Sequence, residues 1–434
     1  MKNKRLIALA ASLGLAVMGA VPMCAGAAAP EETAAPEKTF TFEKYLVMEK
    51  DANVPNVSFG FSVTPAADTD IAATEKNVRP GPAGIKFIAS DGVTVGETGT
   101  SASVSFTGKD DKLTEASSST DKSIDFVTPD REDEVYACKE LTLDLDGIEF
   151  KDPGIYRYII TENEAENVAG VSPDTNRTRN LDIYVMRDTS GSADADEFIV
   201  EGFVFYYGTN NKSTGFTNQY VTNNLAVGKS VTGNQGSKNK HFKISVKLTN
   251  PDELTISNTD KFSVIGNLEN NPEGNDITVY SADEMKSNNV TELTYEQLSE
   301  GYSFYLCSGH DFEIKGIPTG LGYEITEYQE EYAPSVEYAS GSDNMTDDKT
   351  GDGTEIEGEK GDATDDADKT YTVKDTFLSA DTSITFKNDL AGTIPTGILN
   401  TVAGSLGLVA VGAAGITGGA MLLKKKKTGE DAES

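Results

Sequence analysis

One ordered set of three local patterns occurs twice along the chain, and this repeat limits it to two copies of one kind of fold. Each copy opens on a strand pattern with a single lysine among apolar residues: Phe42-Glu43-Lys44-Tyr45-Leu46, then Val227-Gly228-Lys229-Ser230-Val231. Each continues with a proline five residues ahead of a tyrosine, in a run that closes on glutamate: Pro153 with Tyr158-Ile159-Ile160-Thr161-Glu162, then Pro318 with Tyr323-Glu324-Ile325-Thr326-Glu327. Each ends with a phenylalanine two residues before an asparagine: Phe216-Thr217-Asn218, then Phe386-Lys387-Asn388. Three patterns kept in order at a separation of 165–185 positions are the mark of tandem structural units.

The residues between these landmarks alternate apolar and polar. Val57-Ser58-Phe59-Gly60-Phe61-Ser62-Val63, Leu181-Asp182-Ile183-Tyr184-Val185 and Phe242-Lys243-Ile244-Ser245-Val246 all have period two. Bounded by Gly, Pro, Asn and Asp, such runs predict half-buried antiparallel strands. No long amphipathic helix stands out. The expectation is an all-β chain with two tandem sandwiches, residues 38–222 and 223–392. A strand alternates faces, so Lys229 shares its side with Val227 and Val231, and is expected on the core face.

Both ends read as targeting segments. Residues 1–27 have a basic start (Lys2, Lys4, Arg5), a short apolar run and small residues Ala25-Gly26-Ala27, the pattern of a secretory signal. Cys24 follows that run, but Val21-Pro22-Met23 fits a lipid-attachment site poorly. Residues 393–434 carry Ile394-Pro395-Thr396-Gly397, an apolar run over 398–423 and Lys424 to Lys427. That run is long enough to span a bilayer, and the lysines would hold its end in the cytoplasm.

Charge and composition then exclude function classes. Thirty-seven Lys+Arg against 70 Asp+Glu give a net charge of −33, so a phosphate backbone would be repelled and nucleic-acid binding is excluded. The two histidines, His241 and His310, stand in unrelated sequence contexts, which argues against a histidine-built zinc site and histidine-based nucleophilic catalysis. Three cysteines are too few for a disulfide framework, and Cys138 and Cys307 read as buried or free thiols. The acidic, Gly-rich stretch 341–369 lacks the spacing of an EF-hand loop and reads as a solvated loop. No metal, no cofactor and no turnover enzyme are expected.

Taken singly, each landmark residue has an ordinary reading: a solvated lysine, a surface glutamate, a turn-forming asparagine. Taken as a repeated trio, they have a chemistry. In an apolar pocket a lysine loses its proton and becomes a nucleophile toward a side-chain carboxamide. A buried carboxyl can carry the proton and polarise the amide oxygen. The product is a Lys–Asn isopeptide bond, formed once, with ammonia released. Lys44, Glu162 and Asn218 would make one set, shielded by Phe42, Tyr158 and Phe216; Lys229, Glu327 and Asn388 would make the other.

The segments Phe42 to Pro55, Pro153 to Glu162, Val168 to Pro173 and Leu225 to Gly233 resemble the backbone pilins of Gram-positive bacteria, of the streptococcal type with isopeptide-linkage domains. The Pro-Thr-Gly motif resembles the sorting signal of wall proteins in that group, although the usual residue between proline and threonine is missing. The resemblance implies tandem immunoglobulin-like, CnaB-type sandwiches with lysine on the first strand and asparagine on the last. It also implies cleavage by a sortase between Thr396 and Gly397. The Thr396 carboxyl would join a lysine of an identical subunit, giving a head-to-tail fibre attached to peptidoglycan at the cell surface. Lys212, in Gly208-Thr209-Asn210-Asn211-Lys212-Ser213, occupies the position nearest the family's acceptor, with Lys50 and Lys151 as rivals. The alternative is a wall-anchored monomeric adhesin or minor pilin contacting a host surface, using the variable region 66–133 or the acidic loop.

Overall fold

The computed structural model describes residues 38–114, 134–163, 167–188, 198–209, 211–268, 278–280, 287–328, 331–340, 343–346, 370–375 and 377–392. Both targeting segments, the acidic stretch 347–369 and residues 115–133 of the variable region lie outside them, and so does the expected membrane span. Among the described residues no helix is long and apolar enough to cross a membrane.

Strands dominate, as the period-two runs require. In the first half a five-stranded sheet has the order Lys86–Ile88, Glu134–Asp144, Thr39–Glu49, Gly215–Tyr220, Val171–Ser172. An eight-stranded sheet has the path Asn211–Lys212, Phe198–Tyr207, Thr178–Arg187, Gly154–Glu162, Val57–Pro65, Ser101–Phe106, Val93–Val95, and Val78–Pro80 pairs beside Gly154–Glu162. Phe42, Leu46, Phe59, Phe61, Tyr158, Ile160, Leu181 and Phe216 fill the space between them.

The second half repeats the plan. Its larger sheet centres on His310–Pro318, Thr222–Thr232 and Thr382–Asp389; the smaller has the order Tyr302–Leu306, Phe242–Thr249, Gly322–Tyr328, Thr370–Asp375. Val227, Ile244, Val246, Phe312, Ile314, Tyr323, Ile325 and Phe386 form its core. One short helix, Tyr295–Glu300, is started by a capping box in which Thr294 and Gln297 exchange hydrogen bonds.

In both halves the first strand pairs in parallel with the last. Thr39–Glu49 lies beside Gly215–Tyr220, and Thr222–Thr232 beside Thr382–Asp389. Parallel neighbours need a long crossover, and here the crossover is the rest of the sandwich. Close approach is enforced at Gly215, where an added Cβ would sit 1.9 Å from the Glu43 carbonyl oxygen.

Sheet membership changes over at Val221, and the halves touch through polar contacts. Asn56 donates from its backbone N and Nδ2 to Asp260 Oδ1, at 2.8 and 2.6 Å. Asn53 Nδ2 donates to the Lys261 carbonyl, and Lys315 pairs with Asp51, both at 2.9 Å.

Candidate functional site

The parallel pairing decides which side chains meet. Lys44 is opposite Phe216 and Leu46 opposite Asn218; Lys229 is opposite Phe386 and Val231 opposite Asn388. The offset is two residues in both halves. Two residues is one pleat repeat, so lysine and asparagine share a sheet face. The glutamates come from the facing sheets, where Glu162 ends Gly154–Glu162 and Glu327 lies near the end of Gly322–Tyr328.

In the first half Lys44 Nζ lies 3.0 Å from Glu162 Oε1 and 3.1 Å from Oε2. Asn218 Nδ2 donates to Glu162 Oε1 at 2.7 Å, and Asn218 Oδ1 accepts the Asp174 backbone N–H at 2.8 Å. In the second half Lys229 Nζ is 2.7 Å from Glu327 Oε1, and Asn388 Nδ2 donates to the same oxygen at 3.2 Å. Each glutamate thus bridges its lysine and its asparagine. All six side chains belong to residues no more than 2% exposed.

Burial without water controls the charges. It pulls both lysine amines down to about 8 from their ordinary 10.5, against the opposing pull of the neighbouring glutamates. Burial also raises the Glu327 carboxyl above its usual range. Desolvating an ion pair of this kind is costly, and apolar residues would fill the same space at least as stably. A trio of this composition, buried twice at the same register, therefore points to chemistry. The amine is easily made neutral, the amide is held by the carboxyl, and the carboxyl can pass a proton between them.

Several participants escaped the sequence reading. The aromatic ring over Lys44 is Phe59, with Nζ 4.5 Å from its centroid, and the equivalent ring over Lys229 is Phe242, at 4.4 Å. Phe42, Tyr158 and Phe216 are fully buried in the same core, and Tyr158 Oη donates to the Pro82 carbonyl at 2.7 Å. The signal for Phe59 and Phe242 was present: each sits on the alternating strand that follows the lysine strand. Asp174 and Arg179 gave no such signal. Asp174 Oδ2 accepts the Thr217 N–H at 2.9 Å and pairs with Arg179 at 2.8 Å, while the Arg179 guanidinium lies 4.6 Å from the Phe216 centroid.

Lys212 is exposed, on the two-residue edge strand Asn211–Lys212 opposite Tyr206, rather than in an irregular loop. Lys50 and Lys151 are exposed too. Thr396 and Gly397 lie outside the described residues. Two sequence expectations are overturned. Cys138 is disulfide-bonded, not a free thiol, and it is half-buried. Cys307 is a buried free thiol. The two histidines are not in unrelated settings, because strand pairing brings His241 and His310 together, with ring centroids 6.2 Å apart.

Residues 223–360 match a family model described as a domain of unknown function, DUF7601. The Pilin of Streptococcus pyogenes serotype M1 is 28% identical over 294 residues, covering 67% of this chain and 72% of that protein. Among solved structures, the major pilin of Streptococcus pyogenes is 20% identical, covers 82% of this chain and all of its own, and superposes with a TM-score of 0.47. The T3.2 major pilin of Streptococcus pyogenes is 17% identical over the same share of this chain, with a TM-score of 0.46.

Proposed function

We propose that the chain is the backbone subunit of a covalently polymerised pilus, with each sandwich closed by an intramolecular Lys–Asn isopeptide bond. The observation that carries this reading is the buried Lys–Glu–Asn trio, present twice at one strand register. The 28% identical Streptococcus pyogenes Pilin supports the same reading from sequence.

The reaction follows from the contacts. Lys44 transfers a proton to Glu162 within the pocket and becomes a neutral amine. Its nitrogen attacks the Asn218 carboxamide carbon while the protonated carboxyl donates toward the amide. The attacking nitrogen gives its extra proton back to the carboxylate, the C–N bond to the amide nitrogen breaks, ammonia leaves, and one C–N bond to Lys44 replaces it. Lys229, Glu327 and Asn388 perform the same steps. The lysine and asparagine of each set are consumed, so there is no turnover.

Joining first strand to last closes spans of 174 and 159 positions. Tension that enters at one end of a sandwich and leaves at the other then runs through a covalent bond instead of a strand ladder, which suits a fibre under load. A sortase would cut after Thr396 and join it to Lys212 of the next subunit, a heterologous contact that propagates as an open filament anchored to peptidoglycan.

Immunoblotting of wall extracts from the producing cell tests the assembly. A ladder of high-mass species is expected, and it should disappear in Lys212→Ala. A single band in the wild type would instead support a monomeric wall-anchored adhesin. A ladder that persists in Lys212→Ala would move the acceptor to another exposed lysine of residues 38–222.

A further inference from the structure

We propose that His241, Cys307 and His310 form a three-ligand site for a borderline-soft divalent metal ion of the zinc class, with the fourth position left to water or an incoming ligand. This rests on the geometry of the second sandwich alone and does not depend on the pilus reading.

Two local devices assemble the trio. Cys307-Ser308-Gly309-His310 is the tight turn between Tyr302–Leu306 and His310–Pro318, closed by the His310 N–H on the Cys307 carbonyl at 3.1 Å. Gly309 takes φ +87°, a left-handed conformation that suits glycine. This places the first and fourth residues of the turn side by side. The third ligand comes from the neighbouring strand: Phe242 pairs with Leu306, so His241 is set against Cys307.

The spacing fits a metal. One ligand atom from each residue can be chosen so that all lie within 4.8 Å of one another. Cys307 Sγ lies 3.3 Å from both ring nitrogens of His310. In a tetrahedral zinc centre, metal–sulfur and metal–nitrogen bonds of about 2.3 and 2.0 Å put sulfur and nitrogen about 3.5 Å apart. Because the sulfur is equally far from both nitrogens, the His310 ring has to turn to aim one of them at the ion. Two imidazoles and a thiolate favour zinc-class ions over calcium or magnesium, which take oxygen. Binding replaces the thiol proton with the metal, so one proton is released per ion bound.

The site abuts the second isopeptide pocket. Gly309 donates its N–H to the Lys229 carbonyl at 2.9 Å, and the Ser308 hydroxyl accepts the Val231 N–H at 3.0 Å. His241 directly precedes Phe242, whose ring covers Lys229. A bound ion would tie the turn to the strand that covers the reactive amine.

The test uses the secreted chain, stripped with chelator and titrated with Co2+ and then Zn2+. The acidic surface binds divalent ions loosely through oxygen, so the decisive readout is the thiolate-to-cobalt charge-transfer band, together with the intense visible bands of tetrahedral cobalt. We expect both at one Co2+ per chain, their loss on adding Zn2+, and a higher Tm with Zn2+. Cys307→Ser should abolish the charge-transfer band. A weak octahedral spectrum without sulfur charge transfer in the wild type would overturn the proposal, as would a charge-transfer band that survives in Cys307→Ser.

Discussion

The two lysine–glutamate–asparagine trios share a register but not a setting. In the first sandwich the Asn218 oxygen accepts the Asp174 N–H, and Asp174 is itself held by Arg179. In the second, Asn388 Oδ1 and Glu327 Oε2 have no hydrogen-bond partner among the described residues. A backbone N–H aimed at the carbonyl oxygen stabilises the charge that develops there as the amine attacks. In the proposed reaction the second site would lack such a donor; its Glu327 contacts the amide nitrogen, and burial raises the Glu327 carboxyl above its usual range. Strand pairing thus brings the same three side chains together in both halves, and the surroundings of the amide differ.

The largest expected effect is an all-or-none one, confined to one half at a time. Glu162→Ala should leave Lys44 and Asn218 unlinked while the second bond still forms, and Glu327→Ala should do the reverse. Each variant would be about 17 Da heavier than its own sequence carrying two links, the mass of one retained ammonia. Loop-closure entropy puts the lost stability at about 5 kcal/mol per link, measurable by denaturant unfolding. Loss of both bonds from a single substitution would break the account of two independent sites.

A smaller effect depends on pH. In Asn218→Ala the Lys44 amine stays free, with a folded-state pKa of about 8 against 10.5 in the unfolded chain. Between those values the unfolded state binds more protons, so stability should rise with pH, by an amount on the order of 3 kcal/mol. With the proposed bond formed, the wild-type amine has no proton to titrate and this rise should be absent. Asn388→Ala should show the same alkaline gain from Lys229, together with an opposing loss above the ordinary carboxylate range. There the folded state keeps a proton on Glu327 that the unfolded state has released, and the stability this brings fades as pH rises. A flat profile in Asn388→Ala across both ranges would contradict the buried setting of Lys229 and Glu327.

The smallest effect is kinetic. Arg179→Ala should loosen Asp174 and slow formation of the first bond about tenfold, less than the loss of a direct oxyanion donor, because the N–H remains but is no longer held. The second bond should form at its normal rate. Mass spectrometry over time after refolding follows both in one sample.

Much of this was legible in the sequence, for identifiable reasons. Period two gave the sandwiches, and the face shared by Val227, Lys229 and Val231 gave the inward lysine, because strand geometry leaves few other options. The trios were visible as residue types repeated in order. What remained hidden depends on register between distant strands. Phe59 covers Lys44 only because two sheets pack at that point. His241 meets Cys307 across 66 positions through the pairing of Phe242 with Leu306, so two apparently unrelated histidines share one site. Asp174 acts through its backbone, which a residue name does not announce.

The central claim is tested most directly by tryptic digestion and mass spectrometry of the folded wild-type chain. The account predicts two branched peptide pairs, Lys44 joined to Asn218 and Lys229 joined to Asn388, each about 17 Da lighter than the sum of its unlinked peptides. Recovery of the four segments as separate linear peptides of unshifted mass, from a sample shown to be folded, would contradict it.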